Sequence, residues 1–357
     1  MNNLKKNLIF TIFIAFILLF QLNTFSNSVN TQTELTKTSS TALSKIAVEN
    51  TTYNIVVSQP FIADFVQNIV GNLFTVKSVV KGTQDPHSYT PTISDTLVIS
   101  SADIFMYYGV ADIDGWVAGI ISSIPSSVHI VKLVNLSQDG LYDPYIGSGE
   151  LNPHLWMWPS FVNSTLTQRI YDALVKFDPV HQTDYKINLQ NYRLKLNELI
   201  KRVKGNGTLL VNTKVVEYHA AYFYLLKEMN VTRIGAIEQI EDQQPSAAHF
   251  ANISDTIKKV VDGGTPVTIV QSLNIPPETS WQIARDTGAK IAYVAALLGN
   301  YKDVSFTSYI QMIDYDLVAL THPESPPAAS LPGFSITSLF PLFMIVSIVI
   351  INKKKQL

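Results

Sequence analysis

The sequence predicts an α/β protein of two lobes, each a mostly parallel sheet flanked by helices, joined by one long rigid helix. Three observations carry that expectation. The 357 residues suit two domains of roughly 100 to 200 residues each. Short β-branched runs alternate with helical patterns in two successive sets, the pattern of parallel strands with crossover helices. Between the sets lies a long stretch whose apolar residues follow a helical period.

Taken from the N-terminus, residues 1–28 carry Lys5 and Lys6, an apolar run over 8–20 and then a more polar stretch, the layout of a signal peptide or signal anchor. Residues 29–50 are rich in Ser, Thr and Asn without a period and read as a flexible stalk. The N-terminal lobe, 51–178, is expected to hold strands at 53–57, 74–80, 103–108 and 128–134, with helices at 60–70, 92–101 and 113–122. Residues 179–204 place Tyr185, Leu189, Tyr192, Leu196, Leu199 and Val203 on one helical face, and about 24 residues at ~1.5 Å each make a stiff rod of ~36 Å. The C-terminal lobe, 205–321, repeats the alternation in a Rossmann-like order. Its strands are expected at 209–212, 233–236, 267–271 and 289–294, and its helices at 218–228, 245–261 and 277–286. A four-proline spacer, 322–333, follows. Residues 334–351 are uncharged and long enough for a transmembrane helix, and the basic tail at 352–357 is expected to stay in the cytoplasm, leaving the lobes outside.

Composition narrows the chemistry. A mean hydropathy of +0.16 with only 15% charged residues excludes a disordered or coiled-coil chain. There is no cysteine, which removes disulfides, thiolate metal sites, cysteine nucleophiles and a lipid-anchored cysteine. Setting aside the five terminal lysines leaves 21 basic against 28 acidic residues, and with no basic stripe to neutralise phosphates a nucleic-acid partner is disfavoured. Six Asn-x-Ser/Thr sequons, at Asn50, Asn135, Asn163, Asn206, Asn230 and Asn252, suit an exported glycoprotein. Phosphate-loop, nucleophile-elbow and H-E-x-x-H motifs are missing.

The seven histidines are then the best available ligands for a borderline metal. His87 follows Asp85-Pro86 and His154 follows Asn152-Pro153, so each imidazole is presented from a proline-stiffened loop. His219 falls at the carboxyl end of the second lobe's first strand, where open α/β sheets collect ligands. Two such histidines in one lobe and one in the other would meet in the cleft. His129, His181, His249 and His322 read as structural or neutral, Asp85 as a turn residue, and Trp156 and Trp158 as packing. Glu217 reads either as an acceptor behind a ligand imidazole or as a solvated loop carboxylate.

The segment GTQDPHSYTPTISDTLVISSADIFMYYG, residues 82–109, resembles the DPH-containing segment of the zinc and manganese solute-binding proteins of ABC importers, the ZnuA/TroA-like or cluster A-I metal-binding family. NPHLWMWP and VVEYHAAYFYLLKEMNVTRIGAI resemble two further segments of that family, and EDQQPSAAHFANISDTIKK, ARDTGAKIAYV and SYIQMIDYDLVAL its remaining landmarks, all in order over about residues 53–320. The resemblance implies that His87, His154 and His219 hold one metal ion between the lobes. It also implies a fourth, carboxylate ligand, but the corresponding stretch here, residues 293–298 around Ala295, holds no carboxylate; Asp303, Glu241 or water are the candidate replacements. The histidine-rich loop of some zinc-specific members is missing.

Three imidazoles favour Zn²⁺ over the oxygen-preferring Mn²⁺, and acid is expected to weaken binding by protonating them. The leading expectation is an extracytoplasmic, membrane-anchored monomeric receptor, with a layout resembling that of archaea. It would pass Zn²⁺, or alternatively Mn²⁺, as transported ligand to an ABC permease with its ATPase. A zinc hydrolase using Glu217 or Glu241 as general base, and a surface adhesion protein with a degenerate site, are the rivals.

Overall fold

The central strands of both lobes, residues 55–57 and 267–272, are rich in β-branched residues that end up enclosed. The computed structural model describes residues 52–146, 149–239 and 245–328. In the first lobe β1 (Ile55–Val57), α1 (Pro60–Val70), β2 (Val76–Ser78), α2 (Ile93–Ser100), β3 (Ile104–Tyr107), α3 (Ala111–Asp114) and β4 (His129–Lys132) follow one another. The strands form a wholly parallel sheet of order β2-β1-β3-β4. Its central strand β1 is buried along its whole length, as a sheet covered on both faces requires. A small antiparallel hairpin, β5 (Tyr142–Asp143) with β6 (Glu150–Leu151), and α4 (Thr167–Phe177) complete the first half.

Helix α5 (Gln182–Leu209) then runs 28 residues and buries Tyr185, Leu189, Tyr192, Leu196, Leu199 and Val203, the face its sequence period marks. It packs against α1 and α4 on one side. The second lobe comprises β7 (Lys214–Glu217), α6 (Phe223–Glu228), β8 (Thr232–Ala236), α7 (Ala247–Asp262), β9 (Val267–Ser272), α8 (Glu278–Thr287), β10 (Lys290–Val294), the hairpin β11 (Gly299–Asn300) with β12 (Ser305–Phe306), and α9 (Tyr309–Thr321). Its main sheet is again parallel, of order β10-β9-β7-β8. The predicted two-lobed α/β architecture is therefore the one observed.

Two expectations are corrected. Residues 209–212 are not a strand: the helix continues through Gly205 and Gly207 to Leu209, and Leu209 and Val211 are exposed. Gly207 lies against the Met229 backbone so closely that a Cβ would collide with the carbonyl, so glycine here permits helix packing instead of ending the helix. The strand forms at Lys214–Glu217, where Val215 and Val216 are buried. The proline-rich spacer is also less detached than its composition suggests, since Glu324 makes an antiparallel bridge to Ile291 on β10, and Arg285 donates to the Pro327 carbonyl. Among the described residues no helix is long and apolar enough to cross a membrane. The apolar run at 8–20, the stalk, the 334–351 span and the basic tail lie outside the described residues.

Candidate metal centre

Two of the three site loops are built by the same local device. In Asp85-Pro86-His87 the Asp85 carboxylate accepts the His87 backbone N–H at 2.9 Å, and in Asn152-Pro153-His154 the Asn152 Oδ1 accepts the His154 backbone N–H at 2.9 Å. Proline has no N–H to compete, so the Asx oxygen takes the donor two residues on and the backbone at each histidine is held by the same turn. His219 lies two residues beyond β7 and opens the helical turn Ala220–Tyr222. The register correction above leaves it at the carboxyl end of that strand.

The structure brings these three side chains together. His87 Nε2 and His154 Nε2 are 3.2 Å apart, as are His154 Nε2 and His219 Nε2. One ligand atom from each ring lies within 4.8 Å of the others, and it is the group of this kind among the described residues. His154 and His219 are buried; His87 is partly exposed at the rim.

Contacts on the far side of the His154 ring fix its tautomer. Asn152 Nδ2 donates to the Asp143 carboxylate at 3.0 Å and to the Ala220 carbonyl at 2.8 Å, so Oδ1 must face His154. His154 Nδ1, 3.0 Å from that oxygen, is therefore the donor, and its Nε2 carries a lone pair. His219 Nδ1 lies 3.2 Å from the Glu238 carboxylate, a contact in which Nδ1 is the donor. The His87 ring is held by a hydrogen bond to the Asp112 backbone on α3. Burial first, then the neighbouring imidazole of His219, pushes His87 down to about 3. His154 is driven well below the ordinary histidine range by burial and by both other rings. Two buried rings held below the ordinary histidine range, with a third imidazole beside them, make a cluster of nitrogen donors whose chemistry suits a cation.

Glu238 was missed in the sequence, although its place just beyond β8, at the carboxyl end of a strand, is a signal of the kind that singled out His219. Glu217, by contrast, is fully buried and turned away from the rings: it accepts the Tyr222 N–H at 2.8 Å and is paired with Arg233. It is neither an imidazole acceptor nor a solvated loop carboxylate. Asp303 is exposed in the loop between β11 and β12 and is not part of the histidine group, and Glu241 lies outside the described residues. Around Ala295, where the resemblance implies a carboxylate, the loop is pinned from two directions. Buried Asp316 accepts the Ala295 N–H at 2.8 Å, and Trp156 Nε1 donates to the Ala296 carbonyl at 2.7 Å across the cleft.

The other predicted bystanders have structural places. Trp156 stacks on Phe61 and Trp158 on Tyr224. His181 is buried on Asp178 at 2.6 Å, His249 meets the Ala236 carbonyl at 2.9 Å, and His129 stacks on Phe177. His322 contacts Thr321 at the end of α9.

Comparison with known proteins agrees with this architecture. The iron-binding protein YfeA of Yersinia pestis is 30% identical over 277 residues, 73% of this chain and 83% of that protein. The zinc-binding protein AdcA of Streptococcus pyogenes is 27% identical over 256 residues, 66% of this chain, so the match spans about half (48%) of that longer relative. Among solved structures, a metal-free mutant of the periplasmic metal-binding protein of Candidatus Liberibacter asiaticus superposes with a TM-score of 0.65 at 20% identity, covering 75% of this chain and 98% of that one. A mutant of the laminin-binding adhesin Lmb of Streptococcus agalactiae gives a TM-score of 0.63 at 22% identity with the same coverage. Residues 55–322, three quarters of the sequence, match the family described as zinc-uptake complex component A, periplasmic, and the chain belongs to that family.

Proposed function

We propose that the protein is a metal receptor that captures one divalent ion, Zn²⁺ in preference to Mn²⁺, with His87, His154 and His219, and passes it to the permease and ATPase of an ABC importer. The observation that carries this reading is the pair of 3.2 Å Nε2–Nε2 separations. A tetrahedral ion with Zn–N bonds of ~2.0 to 2.1 Å has ligand edges of ~3.3 to 3.4 Å, so the rings stand close to coordinating distance. Neutral nitrogen donors suit Zn²⁺ better than Mn²⁺, which prefers carboxylate and carbonyl oxygen. Relatives named for zinc and for iron binding support a divalent ligand in general, and the choice of zinc rests on the donor set. Water is the fourth ligand in this reading.

Capture and delivery need no bond-making step. Glu217, a base considered for hydrolysis, is committed to Arg233 and the Tyr222 N–H. The reading places residues 51–321 outside the cell as a monomer, with 1–28 as signal or signal anchor, 29–50 as stalk, 334–351 as membrane helix and 352–357 as cytoplasmic tail.

The test is a titration of chelator-stripped protein with Zn²⁺ and Mn²⁺. One tightly held Zn²⁺ per chain, with weaker Mn²⁺, is the expected result, lost in His154→Ala and His219→Ala. Zinc retained after both substitutions together would place the metal elsewhere and sink the assignment.

A further inference from the structure

We infer that Arg233 is a positioning residue for the three-histidine centre, acting through Asp143 and Asn152 to hold His154 at a fixed distance from the second lobe. The inference rests on the metal reading above.

Arg233 lies on β8, the edge strand of the second sheet, with its side chain almost wholly enclosed between the rings of Tyr145 and Phe223. Its guanidinium grips the Asp143 carboxylate with both terminal nitrogens, at 2.9 and 3.0 Å. One of those nitrogens also contacts Glu217, two residues before His219. Asp143 is completely buried on the hairpin that precedes the His154 loop, and its second oxygen receives Asn152 Nδ2. Asn152 in turn holds both His154 nitrogens, backbone and Nδ1, with Oδ1 and donates to the carbonyl of Ala220, the residue after His219. The chain of contacts therefore starts on the second lobe, crosses to the first, orients one imidazole and returns beside another.

Three features separate this from an ordinary structural ion pair. Arginine is needed for its shape, because a planar fork can serve both Asp143 oxygens and Glu217 together, whereas a lysine ammonium cannot. The path ends on a ring nitrogen instead of on surface groups. The hairpin is also tied to the second lobe by neutral bonds, Tyr145 to the Arg233 carbonyl and the Leu141 N–H to Tyr224, so losing the guanidinium fork would loosen His154 without detaching the segment. Arg169 with Asp139 supplies the contrast. It makes the same bidentate pair, at 2.6 and 2.9 Å, but reaches the Leu133 carbonyl and no site histidine.

The test compares Arg233→Lys and Asp143→Asn with Arg169→Lys in the full chain. Zn²⁺ affinity is read by chelator competition, Zn²⁺ release by stopped flow, the ligand field by the absorption of bound Co²⁺, and the metal-free fold by circular dichroism. Both site variants are expected to remain folded and to bind one ion, with affinity reduced roughly tenfold to a hundredfold, mainly through faster release, and with shifted Co²⁺ bands. Arg169→Lys is expected to change none of these metal readouts, whatever it does to the melting temperature. Unchanged affinity and Co²⁺ spectra in folded Arg233→Lys and Asp143→Asn overturn the inference, as does loss of the metal-free fold in both, which would make the cluster a folding element only. If one variant alone fails to fold, the other decides by the same readouts. Failure of the unaltered protein to bind Zn²⁺ or Co²⁺ stoichiometrically refutes the metal reading itself, before any variant is compared.

Discussion

The sharpest consequence of burying the imidazoles concerns protons. An exposed histidine near pKa 6.5 is about 90% protonated at pH 5.5, so a site of three such rings would release roughly 2.7 protons on taking up a metal there. Its affinity would fall roughly 600-fold between pH 7 and pH 5.5. Here His87 is held down at about 3 and His154 well below the ordinary value, so at pH 5.5 neither carries a proton to release. Zn²⁺ uptake at pH 5.5 should then release at most about one proton, with affinity falling no more than about tenfold from pH 7. The acid sensitivity expected from three imidazoles moves to much lower pH. The metal-free fold should survive the measurement. The depressed histidines make the unfolded chain bind more protons as pH falls below 6.5, down to about 3 for His87, which removes stability as pH falls. Asp64 and Asp114, raised by burial to about 6, make the folded chain bind more protons between about 6 and 3.8, which adds stability over that window. Each group works at about 1.4 kcal/mol per pH unit where its two states differ. At pH 5.5 the aspartates, engaged over about half a unit, therefore offset part of what the histidines, engaged over about one unit, remove. Titration calorimetry at pH 5.5 in two buffers of different ionisation enthalpy counts the protons. Two or more released per Zn²⁺ would falsify the argument that the rings are kept neutral before the ion arrives.

Three further outcomes follow from single contacts. Gly207→Ala should lower stability by about 2 kcal/mol or more in urea unfolding, because its Cβ meets the Met229 backbone, whereas Gly205→Ala, with open space around it, should gain up to about 1 kcal/mol from helix propensity. Trp156→Phe can keep a ring against Phe61 but strands the buried Ala296 carbonyl, a loss of about 1 to 3 kcal/mol in metal-free thermal melts. Glu238→Gln removes the carboxylate behind His219 and should weaken Zn²⁺ roughly tenfold or more in chelator competition while leaving one ion per chain.

What could be read from the sequence was whatever depends on local pattern. The 3- and 4-residue spacing from Tyr185 to Val203 marks the buried face of α5, and the two Asx-Pro-His strings mark loops whose geometry is set within three residues. What escaped depends on partners distant in the chain. Gly205-Asn206-Gly207 looks like a helix stop until Met229 is seen against Gly207, and Leu209 and Val211 look like a strand although nothing covers them. Glu217 and Glu238 are both carboxylates at strand ends. The first is removed from the site by Arg233, sixteen positions away, and the second joins it through His219, and no local pattern distinguishes them.

The apolar core decides how far the lobes can move. One continuous cluster joins Phe61, Phe65 and Trp156 of the first lobe, the buried face of α5, and Val294 to Leu298 with Tyr309 of the second. Phe65 and Tyr309 meet edge to face at 5.1 Å, and α5 packs on α9 as well as α1. Parting the lobes would expose side chains worth about 1.5 to 3 kcal/mol each, and a handful of them exceeds what a domain of ordinary stability, ~5 to 15 kcal/mol, can lose. A wide hinge opening is therefore closed to this molecule, and under the proposed metal reading release comes from small shifts near the partly exposed His87. Because the chain has no cysteine, Leu97→Cys on α2 and Lys258→Cys on α7 give unique exposed sites for spin labels on opposite lobes. The distance between them should change by no more than roughly 2 Å when Zn²⁺ is removed, the scale of helix sliding in a packed interface. A second population many ångströms longer in the metal-free protein would show that the shared core does not hold the lobes together.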